Sequence, residues 1–229
     1  MSEAVLSSGA EIEAPGTKGV ADDFSRDKQV FGVPWGKAMM WIFLLSDTFI
    51  FSCFLVGYMS VRITSTDPWP IPSEVFALSF GGEPIPLVLI AIMTFILITS
   101  SGTMAMAVNM GYRKDRNKTF WLMLATALLG ASFVGMQAFE WTKLIMEGVR
   151  PWGNPFGAAQ FGSSFFMITG FHGMHVSAGV IYLLVVAFRV KTGFYERRGG
   201  NYEIVEITGL YWHFVDLVWV FIFAFFYLW

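Results

Sequence analysis

The stretch AMMWIFLLSDTFIFSCFLVGYMSV, from Ala38 to Val61, decides the fold. Its one charged side chain is Asp47, and its apolar residues fall on every side rather than at alternate positions. About 20 mainly apolar residues carry an α-helix across a hydrocarbon layer roughly 30 Å thick, whereas a barrel strand would alternate with a period of two. The stretch therefore predicts a transmembrane helix.

Four further segments have the same character, at residues 86–110, 120–142, 163–188 and 207–229. Composition agrees, because 55% of the chain is hydrophobic and 14% is charged, against roughly 25% charged residues in a soluble domain. We therefore predict the all-α class: a polytopic membrane bundle of five transmembrane helices. A soluble domain, a disordered chain and a nucleic-acid binder are excluded, since a net charge of −2 offers nucleic acid no electrostatic footprint.

The segments between the predicted spans are polar or rich in turn-forming residues. Residues 62–85 contain four prolines and a Gly-Gly pair, and residues 143–162 contain an Arg-Pro-Trp-Gly-Asn-Pro run, so both read as loops. We predict a flexible cytoplasmic tail at residues 1–34 and a membrane domain at residues 35–229. The chain shows no internal repeat, which counts against the duplicated halves of many transporters.

The distribution of Lys and Arg predicts the orientation of the bundle. Residues 1–37, 111–119 and 189–206 hold twelve of the 15 basic residues, and these three segments share one side of a five-span bundle. The positive-inside rule places that side in the cytoplasm, so the N-terminus is expected inside and the C-terminus outside.

Asp47 is the clearest misfit between a side chain and its predicted surroundings. It lies nine residues into the first span, about 14 Å along a helix and close to the bilayer midplane. A carboxylate there costs about 2.5–3.5 kcal/mol on insertion scales, so it is expected to face protein or water. Two interpretations stay open: a carboxyl linked to protons or lipid headgroups, and a structural acid hydrogen-bonded to another helix.

His172 and His175 lie three residues apart in the fourth span, on one face of the predicted helix. A transition metal accepts two imidazoles at that spacing, but the single cysteine, Cys53, excludes paired thiolate ligands as well as disulfides and iron–sulfur sites. We favour hydrogen bonds between helices, beside small residues at Gly170, Gly173 and Ser177 that would allow close helix approach. We predict no metal site in the chain.

Other polar residues lie in the third and last spans. His213 and Asp216 are one helical turn apart, so the carboxylate could accept the imidazole N–H in a structural pair or a proton relay. Glu140 is expected to reach the outer interface, while Gln137 lies deeper and needs a partner. Ala131 with Gly135, and Ser101 with Ala105, have the spacing of helix-packing positions.

Two long motifs resemble haem–copper oxidase subunit III, the cytochrome c oxidase subunit III family. One is FFMITGFHGMHV at residues 165–176, followed by Gly179, and the other is YWHFVDLVWVF at residues 211–221. Weaker agreement comes from Leu128-Leu129-Gly130, from Gln137-Ala138-Phe139-Glu140 and from Ser100-Ser101-Gly102. The resemblance extends from about residue 35 to residue 229.

The resemblance implies a non-catalytic membrane subunit docked on the catalytic subunit I of a proton-pumping terminal oxidase, with subunit II in the same complex. Haem and copper would belong to those partner subunits, while this chain would bind phospholipid in a cleft, stabilise the catalytic subunit and support its proton uptake. The implied location is a bacterial cytoplasmic membrane. The implied reaction of the complex is electron transfer from cytochrome c, or alternatively from a quinol, to oxygen. The candidate proton-linked or lipid-contact residues are Asp47, Glu140, His172, His175, His213 and Asp216.

The chain departs from the longer family members in two respects. It has five spans instead of seven, and it has Asp47 in a Phe-Leu-Leu-Ser-Asp sequence where the family usually has Glu. Five-span relatives include accessory proteins of nitric oxide reductase, which stay an alternative. Two further alternatives are a b-type haem anchor, using His172 or His175 with His213, and a small proton carrier.

Overall fold

The computed structural model describes residues 33–80, 83–85, 87–198 and 200–228. Residues Met40–Trp229 form one compact unit. Nearly all of the predicted tail, residues 1–34, lies outside the described residues, and its flexibility stays a prediction.

Five long helices make up the described chain. They are α1 (Trp35–Thr64), α2 (Val88–Tyr112), α3 (Arg116–Met146), α4 (Ala159–Lys191) and α5 (Glu203–Phe223), which continues as a π-helical turn at Ala224–Leu228. Each is long and apolar enough to cross a membrane, so the predicted class and number of spans are confirmed. Most of the helices extend beyond the predicted spans at both ends, because headgroup regions bring the bilayer to about 40–45 Å.

The segment between α1 and α2 is more ordered than the predicted loop. It contains a one-turn helix at Pro72–Val75 and an antiparallel hairpin of β1 (Leu78–Phe80) and β2 (Glu83–Ile85). Proline fits the first turn of a helix because the missing N–H would have no partner there. Helix α2 begins at Val88, after Leu87 in the left-handed conformation (φ 60°), which is two residues later than expected.

Local sequence sets both ends of α3. At its start, the Asp115 carboxylate accepts the backbone N–H of Lys118 at 3.1 Å, which is an N-cap, and this hydrogen bond lowers the pKa of Asp115. At its end, Gly148 has a φ of +94°, which glycine adopts without the cost of a side chain. These two residues keep the third helix in register with its neighbours.

Helices α2, α3, α4 and α5 pack as a ring, with α3 between α2 and α4, and α5 closing the ring between α4 and α2. Two tryptophans of α5 fill its centre and donate hydrogen bonds to α2. Trp212 Nε1 donates to Ser100 Oγ at 2.9 Å, and Trp219 Nε1 donates to Thr94 Oγ1 at 3.1 Å. A buried indole N–H needs such an acceptor, so the two bonds fix α5 against α2.

The indole of Trp212 requires glycine on both neighbouring helices. A methyl group at Gly130 of α3 would overlap the ring, and one at Gly179 of α4 would lie 3.0 Å from it. The two glycines that carried part of the family resemblance therefore form a slot for this tryptophan.

Helix α1 packs against α4 and α5 through aromatic side chains. Phe51 lies 5.3 Å from Phe171 between ring centroids, and Tyr58 lies 4.0 Å from Phe226. Most of the other large apolar side chains of α1 are exposed, so this helix presents a broad surface to lipid or to another subunit.

Candidate functional site

Asp47 of α1 and His175 of α4 form a buried ion pair between helices. Asp47 Oδ2 lies 3.2 Å from His175 Nε2, and the two residues are 5% and 9% exposed. The sequence favoured a buried acid that faces protein, and the structure supplies the partner. Phe51, one turn after Asp47, packs edge-on against the imidazole of His175, with 5.6 Å between the ring centroids.

The hydrogen bonds of His175 define where its proton lies. Nδ1 is 2.8 Å from the carbonyl oxygen of Phe171, which can only accept, so Nδ1 carries a hydrogen. Nε2 then faces the carboxylate of Asp47 on α1. Tyr211 of α5 donates to the backbone carbonyl of His175 at 2.9 Å and anchors this turn of α4.

His172 packs as an aromatic ring beside this pair. It is 1% exposed, and its ring stacks on Trp219 at 5.4 Å and meets Phe133 edge-on at 6.0 Å. Within the described chain its Nε2 has no hydrogen-bond partner. His175 thus hydrogen-bonds within α4 and approaches α1 at Asp47, while Nε2 of His172 has no partner among the described residues, so hydrogen bonds between helices at these imidazoles stay a prediction.

His213 has a different partner from the one expected. Its Nδ1 is 2.7 Å from the hydroxyl of Ser101 on α2, and no hydrogen bond joins it to Asp216 in the part of the chain that the structure describes. Asp216 is buried, and its Oδ1 has no partner among the same residues. Helical spacing places the side chains of His213 and Asp216 on one face of α5. The hydroxyl of Ser101 on the neighbouring α2 forms the hydrogen bond with His213 instead.

Glu140 is buried inside the chain, six residues before the end of α3 at Met146, and its place at the outer interface stays a prediction. It is 3% exposed, and its Oε2 accepts hydrogen bonds from Gln137 Nε2 at 2.8 Å and from the Tyr227 hydroxyl at 3.1 Å. Glu140 is thus the partner that Gln137 needed. Tyr227 was missed because it lies 87 positions away along the chain, beyond any helical spacing rule.

Lys143, one turn after Glu140, contacts other residues. Its Nζ hydrogen bonds to the carbonyl of Ala77 and lies 3.4 Å from Glu147 Oε1. This lysine ties the loop before the hairpin to α3.

Of the three glycines expected to allow helix contact, Gly135, Gly170 and Gly173, only Gly170 is closely packed. A methyl group at Gly170 would lie 3.1 Å from Trp141 on the adjacent α3. By contrast, nothing lies within 4 Å of the Cβ position of Gly173 or of Gly135. The prediction of close approach at these two glycines is therefore not met inside this chain.

An apolar groove runs between α1 and α5. It consists of two adjoining cavities of about 200 and 350 Å³ that share Thr48, Phe214 and Leu217. His213 lines the second cavity, with Trp41 at the same wall. Most of the side chains that line both cavities are apolar.

The described residues contain no group of three or more His, Cys, Asp or Glu side chains that could hold a metal ion. The packing of His172 and His175 does not suit axial haem ligation either. His172 is packed between Trp219 and Phe133, and both ring nitrogens of His175 are engaged by Phe171 and Asp47.

Comparison with known proteins finds similarity to the third subunit of respiratory oxidases. The family described as "Cytochrome c oxidase subunit III" matches residues 26–229. A "Probable quinol oxidase subunit 3" of Staphylococcus haemolyticus (strain JCSC1435) is 34% identical over 191 residues, covering 82% of this chain and 86% of the relative. Its counterpart in Staphylococcus aureus (strain USA300) is 34% identical over 192 residues with the same coverage.

Proposed function

Because the chain belongs to the cytochrome c oxidase subunit III family, we propose that it is the non-catalytic third subunit of a haem–copper oxidase that takes electrons from a quinol. Membership of the family over residues 26–229 is the observation that carries this proposal. It makes the chain a multi-pass membrane subunit of a respiratory oxidase, beside the catalytic subunits that hold haem and copper.

The electron donor is the point at which sequence reasoning and similarity differ. Cytochrome c was the first expectation and quinol the alternative. Relatives at 34% identity carry the name quinol oxidase subunit 3, which favours the alternative. The donor is a property of the catalytic subunits, so this chain contributes no group to its oxidation.

We place the N-terminus in the cytoplasm of a bacterial cell and the C-terminus outside. The α2–α3 and α4–α5 links lie at one end of the bundle, where Arg116 and Glu196 form an ion pair at 3.3 Å. These links and the N-terminal segment hold twelve of the 15 basic residues, so the positive-inside rule supports this orientation.

Two features support roles in lipid binding and proton uptake. The groove between α1 and α5 offers apolar volume for acyl chains of phospholipids, which would stabilise the docked subunit. Asp47 and His175 place a carboxyl and an imidazole 3.2 Å apart in a buried position, which is the arrangement expected of groups that exchange protons at membrane depth.

The rivals predict different properties for the purified chain. A haem anchor would show a Soret band without partner subunits, and a proton carrier would conduct ions into vesicles that contain only this chain. The packed imidazoles do not favour a haem anchor, and the absence of an internal repeat does not favour a proton carrier. An accessory protein of nitric oxide reductase would co-elute with that enzyme instead of an oxygen-reducing one.

The donor is tested on the intact complex, purified gently from native membranes through a tag on this chain. We expect oxygen consumption with a reduced quinol as the sole donor and none above background with reduced cytochrome c. Oxygen consumption with reduced cytochrome c as the sole donor would contradict the quinol proposal and favour cytochrome c, which was the first expectation. The same reduced quinol without the enzyme serves as the control for autoxidation.

A further inference from the structure

One imidazole lies in the wall of the groove between α1 and α5. The larger of the two cavities, of about 350 Å³, is lined by His213 among side chains that are mostly apolar. His213 is partly exposed, and its Nδ1 is held at 2.7 Å by the hydroxyl of Ser101 on α2. Its Nε2 has no hydrogen-bond partner in the described chain, but it is not sealed off as Nε2 of His172 is. The groove therefore contains a ring nitrogen that can still bind a ligand.

The position of His213 along α5 excludes the ordinary partners of an imidazole. The span runs from Glu203 to Leu228, so its midpoint falls between residues 215 and 216, and His213 lies about 4 Å from that midpoint. Water is scarce at the centre of a bilayer, and phospholipid headgroups lie at its two faces. An acyl chain reaches this depth but offers neither a donor nor an acceptor. The site requires an apolar molecule that carries a hydrogen-bonding group into the membrane.

The cavity itself narrows the ligand further. Phe214 and Trp41 provide aromatic side chains in its wall, which suit a planar ring. A volume of about 350 Å³ lies within the range of about 300–1,000 Å³ that is usual for sites of small ligands. Nε2 donates or accepts a hydrogen bond according to the tautomer, and a hydroxyl group can pair with either form. These properties describe a ring that bears hydroxyl groups and dissolves in the membrane.

We propose that the groove between α1 and α5 binds the quinol substrate of the oxidase, with one quinol hydroxyl on His213 Nε2. The ring would occupy the larger cavity beside Phe214, and the isoprenoid tail would follow the smaller cavity, which shares Phe214 and Leu217 with it. The proposal rests on the proposed function, which supplies quinol as the substrate. The site holds the quinol, and its oxidation belongs to the catalytic subunits.

The direct test is photolabelling of the intact complex in native membranes. The probe is a benzoquinol that carries an azide and a short isoprenoid tail, irradiated without oxygen so that it stays reduced. We expect a covalent adduct in this chain, within residues 41–48 or 210–217. An excess of unmodified quinol should suppress the adduct, and an equal excess of added phospholipid should not. No adduct in these segments, or equal suppression by phospholipid, would overturn the proposal.

A matched pair of variants tests the shape of the groove. Leu217→Trp places an indole at a position that lines both cavities, and we expect the yield of adduct to fall about tenfold because the ring no longer fits. Val220→Trp adds the same side chain at an exposed position of α5 that lines neither cavity, and the yield should be retained. Equal yields in the two variants would contradict the site.

A further variant tests the imidazole. His213→Asn keeps a polar group beside Ser101 but removes Nε2, so the yield of adduct should fall about fivefold, which corresponds to the loss of one hydrogen bond. An unchanged yield would show that His213 does not bind the quinol, and the proposal would be wrong.

The site and the proposed function fail differently. If the unaltered complex oxidises no quinol, the proposed function is wrong. If it oxidises quinol but the azide-bearing probe labels only other subunits, the site alone is wrong.

Discussion

Asp47 and Glu140 are both buried acids at membrane depth, but their partners differ in kind. Asp47 faces the Nε2 atom of His175, which is itself a titratable group. Glu140 faces two neutral donors, Gln137 and Tyr227, which can only hydrogen-bond to it. We therefore expect a functional effect at Asp47 and a structural one at Glu140.

Replacing Asp47 with Asn should leave assembly intact, because the amide can donate to His175 Nε2, but it removes the titratable carboxyl. We expect slower proton uptake by the oxidase or faster loss of activity during turnover. Both are measured on the purified complex in vesicles. Asp67→Asn, which neutralises an exposed acid, is the control. Wild-type behaviour of Asp47→Asn in both assays would show that the carboxyl is structural.

Replacing Glu140 with Ala should lower the stability of the bundle. It leaves the Gln137 amide and the Tyr227 hydroxyl buried without an acceptor, at about 1–3 kcal/mol for each group. Glu140→Gln retains a carbonyl acceptor and should cost less. Denaturant titration of the solubilised chain measures both, and an equal loss in the two variants would contradict this account.

The sequence identified which polar residues are buried better than it identified their partners. Asp47 and His175 were singled out because a charge or imidazole in a hydrocarbon span is costly wherever it points. Ser101 and Tyr227 were not assigned as partners, because contacts between helices depend on packing that spacing along one helix does not encode. Ser101 did stand in a segment of weak family agreement.

At the scale of helices, the slot for Trp212 is the most constrained contact of the bundle. Gly130→Ala should destabilise it by about 1–3 kcal/mol, because the buried indole has no room to move. Gly102→Ala, at an open helical position, should be neutral or stabilising by up to about 1 kcal/mol. Thermal unfolding of the two variants in the same detergent measures the difference, and equal melting temperatures would refute the slot.

The start of α3 should respond to pH through Asp115, which lies outside the membrane-spanning segments. Its hydrogen bond with Lys118 lowers its pKa below the ordinary value of 3.8, so the cap stabilises the helix at pH values above that and is lost as the pH falls below it. Hydrogen exchange at the Lys118 amide should therefore lose protection under acid conditions. Asp115→Asn keeps a capping oxygen and should remove the pH dependence; persistence of that dependence would rule Asp115 out as its cause.

Helix number and approximate bounds were predictable because each span is a long apolar run, which is a local property. The hairpin between α1 and α2 was not, since Pro84 and the Gly-Gly pair indicate turns without indicating strand pairing. The small-residue pattern at Gly135 and Gly173 was recognised, but the sequence could not say whether its partner lay inside or outside the chain.

At the scale of the molecule, a ring of four helices carries α1 on one side. The exposed face of α1 and the groove between α1 and α5 are surfaces that a bundle in isolation would not need. They suit a subunit that is surrounded by lipids and other membrane chains, which agrees with its family.

The central claim is that this chain works only as part of an oxygen-reducing complex. Its most direct measurement is gentle purification through a tag on this chain, followed by identification of the co-eluting chains and their haem and copper content. The account predicts a catalytic oxidase subunit that holds haem and copper, in equal amount to this chain. A chain that elutes alone, or with partners that lack an oxygen-reducing centre, would contradict it.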